Sequence, residues 1–312
     1  MKPGEFASSI RQWAQELGFC ACGFAKAKSI DPAPYRDWVS RTAVNGLDYL
    51  ARHMDLRCSP KKFFPGGKTV ISLAMSYAPD PAQAPPAADW VALYARGRDY
   101  HKTLKQRAKK LCDRIGEQVF DFNPRVCVDT APVAERYWAK ASGVGWVGRN
   151  GLLIVPGRGS MVLLAEIVCN LTLPADAPLE GDDVGDCASC GRCVKACPTG
   201  ALDREGDFQP ARCLSYHTIE NRGEIPPDIA SAMTCQLYGC DLCQRVCPFN
   251  CDVPPGEAEL RSDATMPTAE EVAEWTEADW DAFTCGKALR RAKLNQWTRN
   301  AKILLANREA KQ

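Results

Sequence analysis

The chain lacks an apolar run long enough to cross a bilayer. Its longest apolar stretch, Gly151 to Cys169, is cut by Pro156, Gly157, Arg158 and Gly159, far short of the ~20 unbroken residues that a spanning helix needs. It also lacks the apolar block of a secretory leader. Residues 1–19 carry Glu5 and Glu16 among Ser8, Ser9 and Gln12, so export is not expected. The spacing of Phe6, Ile10, Trp13 and Leu17 predicts an amphipathic helix there instead. There is no GxGxxG after a strand and no P-loop, which removes the usual grounds for dinucleotide or nucleotide binding, and no flavin or haem motif stands out. Net charge is only +1, so the molecule as a whole does not advertise a polyanionic partner. What it holds in excess is cysteine: 17 residues, an odd total without an export signal. That argues against a disulfide framework and for metal or redox chemistry in a reducing cytoplasm.

With 312 residues, 46% hydrophobic and 25% charged, the chain has enough material to bury the core of one large or two smaller domains. Helical and strand-like patterns alternate over residues 1–180, which predicts α/β or α+β packing. Strands are expected at Phe19–Ala25, Lys68–Ala78 and Arg125–Asp129. A long basic helix is expected from Asp99 to Val119, and another in VAERYWAKASGV, closed by Gly143 and Gly145. PDPAQAPP, at 79–86, reads as a loop because its four prolines sustain no ladder. Leu152–Val155 and Met161–Val168, around PGRGS, read as a hairpin. The organisation expected is an α/β part at 1–180, a cysteine-rich module at 181–255, and a helical segment with a basic tail at 256–312.

The cysteines carry the first chemical signal. CASCGRCVKACP places Cys187, Cys190, Cys193 and Cys197 before a proline, and CDLCQRVCP repeats the pattern with Cys240, Cys243 and Cys247. Two such runs are the bacterial two-cluster ferredoxin arrangement, in which three close cysteines bind one 4Fe-4S cluster and the fourth crosses to the other. One cluster should therefore take Cys187, Cys190, Cys193 and Cys247. The other needs Cys197, Cys240, Cys243 and a fourth ligand, for which Cys213 is the best placed and Cys235 and Cys251 are rivals. Tetrahedral zinc is the alternative for any thiolate set. Cys20, Cys22, Cys58, Cys112, Cys127, Cys169 and Cys285 lie scattered in apolar surroundings and read as packing residues.

The last 26 residues concentrate positive charge, with eight Lys and Arg against Glu309 alone. At helical spacing, Leu289, Ala292, Gln296 and Ile303–Leu305 form an inner face, leaving Arg290, Lys293 and Trp297 outward. Arg290, Arg291 and Lys293 are candidate nucleic-acid contacts, and Trp297 is either a base-stacking residue or a core residue.

Four strings go further. GRDYHKTLKQRAKKL (97–111), DTAPVAERYWAKASGVGWVGRNGLLI (129–154), CLSYHTIENRGEIP (213–226) and YGCDLCQRVCPFN (238–250) closely resemble the epoxyqueuosine reductases, over about residues 1–307. The resemblance implies a nitroreductase-like α/β catalytic domain related to the reductive dehalogenases, a ferredoxin-like double-cluster module, and a short C-terminal helical segment. It implies cobalamin and two 4Fe-4S clusters as cofactors, and tRNA carrying epoxyqueuosine as substrate. Asp129 matches the family's proton donor and Arg136 a second active-site residue. Tyr100 and His101 resemble residues of the cobalamin or substrate pocket, and Arg57 and Asn150 resemble polar contacts to cobalamin. As an acid, Asp129 is expected in a buried setting that raises its pKa. His217 is not expected beneath cobalt. Many family members continue into HEAT-like repeats, and here only five residues follow Asn307. A monomeric cytoplasmic enzyme fed by a flavodoxin- or ferredoxin-type donor completes the expectation. Its rivals are a dehalogenase-like small-molecule reductase and a zinc-stabilised nucleic-acid module or plain electron carrier.

Overall fold

The computed structural model describes residues 2–41, 47–80, 90–180, 185, 187–203, 208–261 and 265–311. Its strands are β1 (Ala21–Lys26), β2 (Thr69–Ser76), β3 (Trp90–Val91), β4 (Pro124–Cys127), β5 (Trp146–Val147), β6 (Leu153–Ile154), β7 (Val162–Cys169) and β8 (Gln236–Tyr238). Four of them make an antiparallel sheet in the order β1-β2-β7-β4. All eight residues of β2 are buried, because helices cover both faces. Ile71, Leu73 and Met75 meet Ile10 and Ala14 of the helix Pro3–Glu16 and Leu104, Leu111 and Ile115 of the helix Tyr100–Gly116. On the opposite face Val70 and Val168 pack with Trp138, and Ala74 with Ala139, of the helix Glu135–Ala141. Gly23 permits that close approach: a Cβ there would stand 2.0 Å from the Ser142 carbonyl oxygen. Period-two alternation along β2 thus divides two helical layers.

A second core joins Val91, Ala92 and Ala95 to Leu214, Ile219, Leu237, Tyr238, Trp297 and Leu304. Its spine is a parallel pairing of β3 with β8. Asp241 locks the joint: it accepts bonds from Trp90 Nε1 at 3.2 Å and from the Leu93 amide at 2.8 Å. The guanidinium groups of Arg96 and Arg245 both lie over the Trp90 ring, at 4.7 and 4.5 Å.

Three expectations need correction. Residues 152–168 are not a hairpin, because β6 pairs with β5 while β7 enters the main sheet between β2 and β4. The basic tail is not one helix: Ala288–Arg291 is a 3-10 turn before the helix Leu294–Glu309. Trp297 is fully buried, stacked on Tyr238 at 5.2 Å, and presents no ring to a base. Most of the proline loop lies outside the described residues.

Candidate active site and cluster ligands

Asp129 sits two residues beyond β4, where the chain leaves the sheet with φ 52°, a left-handed conformation that Asp tolerates better than most residues. The turn is held from below. Glu135, the first residue of its helix, accepts the Asp129 amide at 2.5 Å through Oε1. The Asp129 side chain points the other way, its Oδ2 3.2 Å from His101 Nε2. His101 belongs to the first turn of the helix Tyr100–Gly116, and Asp99 caps that helix by accepting the His101 amide. The same Asp99 oxygen lies 2.8 Å from His101 Nδ1, and the Tyr100 ring stacks on the imidazole at 4.0 Å. Burial disfavours the charged ring, but the bonds to Asp129 and Asp99 outweigh it and raise the His101 pKa. A carboxyl oxygen stands at each nitrogen, an arrangement that favours the charged ring.

Asp129 is not the buried acid expected. Its side chain is 54% exposed, while Glu135, partly buried, holds its amide and Glu166 is fully buried. Nearby, the Tyr49 phenol is raised by burial and by Glu220 and Asp129 and lowered by Arg291 and Arg57, which places those four charged groups within reach of the phenol. Arg136 does not approach Asp129 by hydrogen bond; its Nη1 donates to the Gly151 carbonyl. Two buried donors in this region have no protein partner, Arg57 Nε and Asn150 Nδ2. Unpaired buried donors are costly, and acceptor groups of a polar cofactor such as cobalamin fit them.

The cysteines assemble in two groups. Cys187, Cys190, Cys193 and Cys247 line one small pocket with Arg149 and Asn150. Burial raises the Cys247 thiol, and the charges of Cys187, Cys193 and Cys190 add to that. Burial raises Cys240 to about 12, with Cys213 and Cys197 contributing, and Cys243 is raised by burial, Cys240 and Cys213. Cys193 acts on Cys243 as well, so the groups are neighbours. Backbone amides donate to Cys187 from Arg149 and to Cys197 from Ala201, each at 3.3 Å. Such donors stabilise thiolate sulfur and suit metal-bound cysteine.

Cys251 is exposed, and Cys235 bonds with Thr234 at 3.9 Å. His217 is occupied structurally, its Nε2 on the Ala211 carbonyl and its Nδ1 accepting from Asn221. Cys285 is exposed rather than packed. In the tail, Arg290 pairs with Asp281 and Arg291 makes a forked pair with Glu220, while Lys293 is exposed. His101's link to Asp129, and Glu135 and Glu166, escaped sequence reasoning. No local pattern joins residues so far apart in the chain.

Residues 57–130 match the family described as epoxyqueuosine reductase QueG, DUF1730, and residues 186–250 match the 4Fe-4S double cluster binding domain. The second match resolves the choice between iron–sulfur and zinc. The epoxyqueuosine reductase of Aliivibrio fischeri is 35% identical over 317 residues, 97% of this chain and 83% of the relative. That of Xanthomonas campestris pv. campestris is 36% identical, covering 98% and 88%, and that of Leadbetterella byssophila is 35% identical, covering 95% and 97%. A crystal structure of epoxyqueuosine reductase with an epoxyqueuosine-modified tRNA-Tyr stem loop superposes with TM-score 0.86 at 25% identity, over 98% of this chain and 82% of that one. A reductive dehalogenase shares the fold at TM-score 0.52 and 15% identity, over 99% of this chain and 37% of that one. Near-full-length identity of this order, on a shared fold, means that the chain belongs to the epoxyqueuosine reductase family.

Proposed function

We propose that this chain reduces epoxyqueuosine to queuosine at the wobble position of tRNA, using cobalamin fed by two 4Fe-4S clusters. The observation that carries the reading is the Asp99–His101–Asp129 row, half-exposed at Asp129, with Arg291 within the field of Asp129 and its guanidinium over the Tyr49 ring. Removing the epoxide oxygen to leave an alkene consumes two electrons and two protons and releases water, so it needs an electron relay and a positioned acid. Bound cobalamin supplies the low-valent metal centre for that chemistry, and Arg57 and Asn150 are the residues that would hold it. Asp129 would pass the proton it shares with His101 Nε2 from its Oδ2 to the departing oxygen. His101 shares that proton through Nε2, and Asp99 fixes the ring through Nδ1. Arg136, tied to the Gly151 carbonyl, would orient the substrate or stabilise developing negative charge.

Asn150 lines the pocket of Cys187, Cys190, Cys193 and Cys247, which supports those four as ligands of the cluster nearer cobalamin. Cys197, Cys213, Cys240 and Cys243 then bind the outer cluster, where a flavodoxin- or ferredoxin-type donor delivers electrons to a monomer. Among the described residues no helix is long and apolar enough to cross a membrane. The direct test is anaerobic turnover of an epoxyqueuosine-bearing stem loop with reductant, followed by nucleoside analysis. Queuosine formation is expected. Turnover of a halogenated phenol with the stem loop untouched would replace this reading with the dehalogenase-like one.

Arg291 lies within the field of Asp129, which supports Arg290, Arg291 and Lys293 as contacts to the RNA backbone. Neutralising all three to Gln is expected to weaken stem-loop binding and flatten its salt dependence, log K recovering ~0.7 to 0.9 per lost phosphate contact for each decade of salt. Iron and cobalamin content should not change. An unaltered salt slope would move the RNA to the exposed Lys102, Lys105, Lys109 and Lys110 of the basic helix.

A further inference from the structure

The strands β5 and β6 form a short hairpin, with Trp146 opposite Ile154 and Val147 opposite Leu153. Two backbone bonds close its tip: the Gly148 amide donates to the Leu152 carbonyl at 2.8 Å, and the Gly151 amide to the Gly148 carbonyl at 2.9 Å. Gly151 takes φ 74° there, a left-handed conformation open to glycine at no steric cost. Arg136, on the helix Glu135–Ala141, ties the Gly151 carbonyl. This pinned tip belongs to the sheet-bearing part of the chain, and it reaches across to the cysteines, where the Arg149 amide donates to Cys187 Sγ at 3.3 Å.

The next residue, Asn150, is buried and lines the pocket of Cys187, Cys190, Cys193 and Cys247. The Leu152 amide donates to its side-chain oxygen at 3.2 Å. Since an N–H needs an acceptor, that bond fixes which end of the side-chain amide is Oδ1. The other end, Nδ2, is buried without a partner, a costly state for a donor. The indole nitrogens of Trp138 and Trp297 are unpaired too, but each sits in a packed apolar core, whereas Asn150 borders four thiols. Ile154, Pro248 and Phe249 give the same pocket apolar walls, against which a hydrogen bond is weakly screened.

We propose that Asn150 Nδ2 donates to a sulfur of the cluster held by Cys187, Cys190, Cys193 and Cys247, and with the Arg149 amide raises that cluster's reduction potential. The inference rests on reading those four cysteines as one ligand set, and adds a residue that tunes the cluster without ligating it. Nδ2 carries two hydrogens, so one serves the cluster while the other remains for cobalamin. On reduction the cluster gains one electron and the external donor loses one. The added negative charge spreads over the cluster's sulfurs, and an N–H dipole aimed at one of them stabilises the reduced form more than the oxidised form. The hydrogen stays on nitrogen, and no proton moves. A higher potential at this cluster draws electrons inward from the cluster of Cys197, Cys213, Cys240 and Cys243.

The test is a redox titration of the full-length, cluster-loaded protein followed by electron paramagnetic resonance, with and without bound cobalamin. Asn150→Leu removes the donor. Asn150→Asp, at about pH 8 where a carboxyl group is ionised, keeps an acceptor for the Leu152 amide and puts negative charge in place of the donor. In Asn150→Leu one cluster couple should fall by roughly tenfold in its reduction equilibrium, the worth of one hydrogen bond, or about 59 mV for one electron. In Asn150→Asp the same couple should fall further. The other couple should hold in both, and the shift should persist without cobalamin. The proposal is overturned if neither couple falls in Asn150→Asp, if only Asn150→Leu shifts, which would trace the effect to the lost Leu152 bond, or if the shift vanishes without cobalamin. The titration involves no tRNA and no turnover, so its outcome stands apart from the tests of the substrate and of Asp129 as acid.

Discussion

Asp129→Asn is expected to lower turnover about 10²-fold or more, the usual scale for a lost general acid, while iron and cobalamin content stay normal. Asn keeps the size and the reach to His101 Nε2, but it has no ionisable proton to give. That proton is needed only as the oxygen departs, so kcat should fall and KM for the stem loop should hold. His101 remains beside the site with a raised pKa; it is an acid one bond removed from the substrate, and a residual rate through it would be slower. Single-turnover kinetics on fully loaded protein give the measurement. Wild-type turnover in the variant would remove Asp129 from the mechanism.

The second large effect belongs to Cys213. Cys213→Ser is expected to remove one cluster and spare the other, cutting bound iron by about half and abolishing turnover driven by an external donor, since serine oxygen is a poor replacement for a soft thiolate ligand. The fold brings Cys213 into the field of Cys197, Cys240 and Cys243. Cys235 is engaged by the Thr234 hydroxyl instead. Cys235→Ser should therefore leave iron content and the electron paramagnetic spectrum unchanged. Iron lost with Cys235 and retained with Cys213 would reverse the ligand assignment.

The cysteine grouping was legible because ligand spacing is a local property: a run ending in Cys-Pro announces its cluster without knowledge of the fold. The helix Tyr100–Gly116 and strand β2 were legible for the same reason, as a polar cap before an amphipathic run and as a mostly β-branched and apolar stretch. The hairpin expected over 152–168 failed because a turn signal says that the chain reverses, not what the strands pair with. β7 found two longer partners in β2 and β4, and β6 was left to β5. The buried Glu166 was invisible in another way. Glu166 interrupts VLLAEIVC as a single polar residue, which a pattern reading takes for a solvent-facing position. Only the layer of helix over that face shows it to be buried. For Trp297 the wheel pointed outward but left the core open as the alternative, and the core holds it, with Tyr238, Trp275 and Phe283 around its ring.

The joint made by Asp241 bears on how the two reactants of the deoxygenation arrive. Asp241 stands between Cys240 and Cys243, yet its carboxylate is spent on Trp90 and Leu93, a few residues before the helix that presents His101. Modules within one chain ordinarily keep some freedom of hinge motion unless a large apolar interface removes it. Here a β-pairing, an aromatic ring held between two guanidinium groups and a common core remove it. The cysteine-bearing part of the chain is therefore fixed on folding to the part that carries His101. The residue proposed as the acid sits instead on a left-handed turn whose amide is bonded to Glu135. On the proposed reading, the wire is set at folding and the acid hangs on a single turn.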